Sequence, residues 1–139
     1  MCSDKLLRAN GNNMENSFPL SSEDICMLEP ILDALSQRSG RKQTLDRLLN
    51  KWSRFVSKVE LGYRLSIYDY TNDLSLRDFL QVVLSSCPNR IHDRLLEWME
   101  GWDNRFILVT KQVEKPLLPP LGKEELGWWW FRIPLDPGN

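Results

Sequence analysis

With 139 residues, 18 Lys+Arg against 19 Asp+Glu and a formal net charge of −1, the chain suits one domain and lacks the basic field that holds nucleic acid by its phosphates. Its three cysteines, Cys2, Cys26 and Cys87, are odd in number, form no close pair or zinc-type spacing and follow no secretory leader, so a cytoplasmic protein in a reducing compartment is expected. No apolar run is long enough to span a bilayer, which argues against a membrane partner, and six tryptophans call for a core or a contact surface.

Residues 1–18 are polar and Asn-rich, contain a second methionine at Met14 that could serve as the start, and are expected to be disordered. Ser21-Ser22-Glu23-Asp24 then offers a capping hydroxyl and acids for a first turn, opening a helix through Ile25, Leu28, Ile31, Leu32 and Leu35. Pro30 lies inside that pattern and should kink it or start a second segment. Ser39-Gly40-Arg41-Lys42 reads as the closing turn.

From Thr44 the apolar residues Leu45, Leu48, Leu49, Trp52, Phe55, Val56, Val59, Tyr63, Ile67 and Tyr70 step by three or four, which predicts one long helix to about Tyr70 or Asn72. Gly62 would sit in its middle, with close approach of another backbone as the reason for it. Ser75 reads as the cap of a third helix, with Asp78 as its reciprocal acid and Leu76, Phe79, Leu80, Val83 and Leu84 as its stripe, ended by Ser85-Ser86-Cys87. Pro88 suits the first turn of a fourth helix whose stripe is Ile91, Leu95, Trp98, Met99, Trp102, Phe106 and Val109. The facing stripes place Trp52, Phe55, Val59, Tyr63, Trp98, Trp102 and Phe106 in the core.

After Lys111 the composition turns Pro-rich, which predicts an extended tail with one helical turn near Lys123 to Leu126. Its run Trp128-Trp129-Trp130-Phe131 should fold back onto the helices or onto a partner. The expected architecture is all-α: a compact antiparallel bundle of about four helices over residues 19–115, with a Pro/Trp-rich tail, residues 116–139, packed on it.

The polar residues give no catalytic set. Asp69 and Asp73 share a helical face and Arg77 lies one turn further on, with Glu60 and Asp103 as further acids. A carboxylate metal site in a bundle pairs Glu-x-x-His motifs, and the one histidine, His92, belongs to none. Asp69, Asn72 and Asp73 are therefore expected to end the second helix and to hold Arg77 or Arg105 in ion pairs. No glycine-rich elbow or phosphate-cradling loop is present, so no catalytic residue, metal or cofactor is expected.

Four segments taken together carry a resemblance: Trp52-x-x-Phe55-Val56-x-x-Val59-Glu60-x-Gly62-Tyr63, Asp69-Tyr70-x-Asn72-Asp73-Leu74-x-x-Arg77, Trp102-Asp103-x-Arg105-Phe106 with Thr110, and Trp129-Trp130-x-x-Arg132-Ile133-Pro134. They look like a family of small helical bacterial proteins, some of which lie in contact-dependent growth-inhibition or polymorphic toxin loci in the position of the immunity protein. The resemblance covers about residues 45 to 135 and implies a binding protein that neutralises a toxin domain. Glu60, Asp69, Asn72, Asp73, Arg77, Asp103 and Arg105 are the candidate contact residues, since acids can pair with a basic partner while rings supply area. The competing readings are an RNA- or nucleotide-handling accessory protein using Arg77, Arg105 and the tail tryptophans, and a structural subunit of a homo-oligomer.

Overall fold

The computed structural model describes residues 20–64, 66–117 and 125–135. The segment 1–18 lies outside them, as does most of the helical turn expected at 123–126. The fold is all-α, a bundle of four helices with one short ribbon: α1 (Ser22–Ser39), α2 (Leu45–Glu60), α3 (Ile67–Ser86), α4 (Asn89–Leu108), β1 (Thr110–Gln112) and β2 (Arg132–Pro134). No helix is long and apolar enough to cross a membrane among the described residues. Two compact units share the helices, one built from the described residues of 1–50 and 79–96, the other from those of 51–78 and 97–139.

In the first unit, α1 opens with a reciprocal cap. The Asp24 amide donates to Ser21 Oγ at 3.1 Å, and the Ser21 amide donates to Asp24 Oδ2 at 3.3 Å. The helix closes on Gly40, whose φ of 73° is left-handed backbone that glycine adopts without a Cβ penalty. Pro30 lies inside α1, which runs unbroken from Ser22 to Ser39, so it does not start a second segment. Leu28, Leu35, Leu48, Leu80, Ile91 and Leu95 are buried here. Asp24 is buried beneath two arginines, with Arg90 Nη2 2.6 Å from Oδ1 and Arg94 Nη2 donating to Oδ2 at 3.0 Å. Cys87 is a free thiol, whereas Cys26 is disulfide-bonded, which runs against the expectation drawn from the cysteine pattern.

Burial pushes the Asp24 carboxyl up, but the Ser21 amide and the two arginines outweigh it and hold it below the usual carboxylate range. Its stabilisation is therefore present above the unfolded-state value and is lost as pH falls through that range. Asp24→Asn is expected to cost about 1 to 2 kcal/mol at neutral pH, a charged hydrogen-bond contribution discounted because both arginines are half exposed. In urea melts the gap between wild type and variant should close by roughly pH 3. A gap independent of pH would contradict the ion-paired role.

The long second helix expected from the sequence is two helices. After Glu60 the chain stops being helical because Gly62 takes φ 98°, again left-handed, while its amide donates to the Val59 carbonyl at 3.1 Å. Gly62 is thus a helix terminator and not a point of backbone approach. Ser66 then starts α3. Its hydroxyl accepts from the Asp69 amide at 3.2 Å, and Asp69 Oδ2 accepts from the Ser66 amide at 3.3 Å. Asp69 accordingly opens a helix where it was expected to end one, and Asn72 and Asp73 lie within α3. Ser75 caps nothing, because it sits well inside α3 and its hydroxyl donates to the Asn72 carbonyl. At the far end of the turn, the carbonyl of Pro88 accepts from the Ile91 and His92 amides, so proline does open α4.

Candidate protein-interaction face

The second unit is organised by a buried polar chain. Asp103 Oδ1 accepts from Trp52 Nε1 at 3.0 Å and from Arg77 Nε at 3.0 Å, and Arg77 Nη2 donates to Asp103 Oδ2 at 2.7 Å. Arg77 is 4% exposed and Asp103 6%, so the fork satisfies both charges away from water. The Arg77 guanidinium also lies 4.4 Å from the Trp129 ring centroid. Beside it, Asp78 Oδ1 accepts from both Trp129 Nε1 and Trp130 Nε1, each at 2.9 Å. The two rings are buried in a 3-10 turn, Trp128–Phe131.

The described end of the tail is thereby fastened to the helices. β2 pairs antiparallel with β1, Thr110 opposite Pro134 and Gln112 opposite Arg132. Arg132 Nε donates to Thr110 Oγ1 at 2.7 Å and its Nη2 to the Ile107 carbonyl at 3.2 Å, placing a cation at the C-terminus of α4. Tyr70 donates its hydroxyl proton to the Arg132 carbonyl at 2.7 Å.

The candidate contact residues separate into three groups. Arg77 and Asp103 are interior, paired with each other, so they cannot offer charge to a partner; Asp69 and Asp73 hold neither arginine, contrary to the expectation. Asp73 is half-buried and accepts from the Tyr63 hydroxyl at 2.9 Å. Burial raises its carboxyl above the ordinary value against the lowering effect of that hydrogen bond, while burial and then Asp73 itself raise the Tyr63 phenol. Asp69 and Asn72 are exposed on α3, with Asp69 engaged in its cap.

Glu60 and Arg105 form the third group, and they do come together at the surface. Arg105 Nη2 donates to Glu60 Oε1 at 2.6 Å and Nε to Oε2 at 2.9 Å. The guanidinium lies 4.0 Å from the Trp102 ring centroid, and Trp102 lies 6.0 Å from Trp98. The hydrogen bond to Arg105 holds the Glu60 carboxyl below its usual range and raises the guanidinium in return.

Trp98 and Trp102 are half-buried, not core. The buried stripe of α4 runs through Ile91, Leu95, Met99, Asp103 and Phe106, and the two tryptophans lie on its flank. Trp102→Ala is therefore expected to cost about 1 to 2 kcal/mol, from partial burial and one exposed cation–π contact, in place of the larger loss of a core aromatic. Chemical denaturation of the variant checks this, and a loss above about 3 kcal/mol would return Trp102 to the core.

Sequence reasoning passed over Gly101. It lies inside α4 without a left-handed φ, is exposed, and a Cβ built there meets nothing within 4 Å. Glycine in an exposed helix interior costs about 1 kcal/mol against alanine, and no contact within the chain requires it. Glu97, one turn before, is exposed, as is Glu100. The signal was present in the sequence as a glycine between two tryptophans of a helical stretch.

Among the described residues no group of three or more His, Cys, Asp or Glu is placed to hold a metal ion. No family model, curated protein or solved structure matches the chain.

Proposed function

We propose that this domain acts by binding another protein, as an immunity-type protein that neutralises a toxin domain by covering its active face. The observation that carries the reading is the Trp98–Trp102–Arg105–Glu60 array, an aromatic pair and an arginine held in a fixed geometry at the surface. Tryptophan and arginine are the side chains that most often dominate protein interfaces, and prior fixing of their geometry lowers the ordering cost of association. The resemblance of the Trp52–Tyr63 and Asp69–Arg77 segments to immunity proteins supports the same reading. The encounter is placed in the cytoplasm, where the Cys26 bridge would be held reduced.

The RNA-handling alternative loses support, because Trp129 and Trp130 are buried with their N–H groups engaged by Asp78 and offer no stacking platform. A homo-oligomer remains an outcome of the tests below. Co-expression of the full chain with the product of the neighbouring gene is the direct assay. The neighbour alone should arrest growth and the pair should restore it. A neighbour that neither harms cells nor co-purifies with this chain would remove the immunity reading.

A further inference from the structure

We propose that the partner docks on the flank of α4 centred on Gly101, bordered by Glu97, Trp98, Trp102 and Arg105, and that the docking segment is a basic stretch of protein whose backbone approaches at the glycine. This rests on the protein-binding reading and adds where contact occurs and what chemistry it selects. Spacings of three, four and seven along α4 put Trp98, Gly101, Trp102 and Arg105 on one side, with Glu97 adjoining.

Three observations converge on that side. Gly101 carries a helix penalty that no intrachain contact explains, since the space above it is open; removal of a Cβ admits a backbone that any side chain would hold off. Trp98 and Trp102 rise on the other side of this gap as half-buried walls, with Trp102 braced by Arg105. The charge of Arg105 is offset by Glu60, whereas Glu97 and Glu100 are exposed and have no ion-pair partner among the described residues. This half of α4 therefore presents uncompensated negative charge beside aromatic faces, the complement of a lysine or arginine that can pair with a carboxylate and lie against a ring.

The test titrates the full-length chain and its variants with the purified product of the neighbouring gene, by calorimetry at low and high salt, alongside a thermal melt of each variant. Gly101→Ala should melt higher than wild type, as helix propensity requires, yet bind on the order of tenfold more weakly. Gly101→Leu should keep the fold and weaken binding by about 100-fold or more. Glu97→Lys should weaken it by about tenfold at low salt and by less at high salt, because an exposed ion pair is screened. Stability up with affinity down is the signature that a purely structural glycine would not give.

Wild-type affinity in Gly101→Leu, with the complex intact, would overturn this docking face while leaving the immunity reading in place. Tighter binding by Glu97→Lys would overturn the basic occupant. A concentration-dependent dimer abolished by Gly101→Leu would assign the face to a second copy of this chain and overturn the proposal. Absence of any complex with the wild-type chain would sink both this inference and the reading on which it rests.

Discussion

Replacing Asp103 with alanine is expected to destabilise the domain by about 3 to 5 kcal/mol, because it strands the Arg77 guanidinium in the interior. The carboxylate is the acceptor for both Arg77 and the Trp52 indole, so one truncation leaves a charge and a neutral donor unsatisfied. Asp103→Asn separates the two losses. Its amide oxygen can still accept from Trp52, and if the charge pair dominates it should behave more like the alanine variant than like wild type. Pairing Asp103→Ala with Arg77→Met supplies the decisive comparison, since removing both charges should cost clearly less than the sum of the single changes. Urea denaturation of the four proteins measures the cycle. Additive single losses would show that the fork carries no coupling and that the interior of this unit is held by its rings alone.

The second large effect is expected at Phe55. Its ring is 2% exposed and lies 5.2 Å from Trp52, 5.7 Å from Tyr63, 5.5 Å from Tyr70 and 5.7 Å from Phe106, centroid to centroid. Phe55→Ala should cost about 3 to 5 kcal/mol, the transfer loss plus the cavity left behind, and should lower the melting temperature by on the order of 10 °C. Phe55→Leu retains most of the apolar volume but forfeits the ring pairs, and about 1 to 2 kcal/mol is expected. The comparison with Trp102→Ala matters most here. Equal losses at Phe55 and Trp102 would mean that α4 turns a different face to the interior.

These contrasts mark where periodicity informed the fold and where it could not. Leu48, Leu49, Trp52, Phe55, Val56 and Val59 are all buried, as a strong apolar stripe on one helix should be. The same stripe continued through Tyr63 and Tyr70 and concealed a helix break, because a tight turn can return the next helix with its aromatics facing the same interior. The local chemistry did announce that break. Gly62 supplies the left-handed residue and Ser66-x-x-Asp69 is a capping box, whereas the Ser75 and Asp78 pair has the same spacing without the role. Spacing alone cannot distinguish two such pairs, since which one caps depends on where the preceding helix ends.

In α4 the error has a different cause. Apolar periodicity ranked Trp98 and Trp102 as core because it could not assign a buried position to an aspartate, yet Asp103 occupies the interior stripe and shifts the tryptophans to its flank. A buried acid becomes intelligible only with its partners, and Arg77 and Trp52 lie far from it in the chain. The candidate face was therefore half visible. Glu60 and Arg105 were named from the sequence, while their bracing of Trp102, and the open space above Gly101, depend on three-dimensional placement.

Hydroxyl-radical footprinting of the tryptophans, with and without the product of the neighbouring gene, tests the central claim most directly. Trp98 and Trp102 should lose reactivity in the complex, while Trp128, 39% exposed in the tail, should keep its own. A complex in which Trp98 and Trp102 react as they do in the free chain, or a neighbouring protein that leaves all six tryptophans unchanged, would contradict the account.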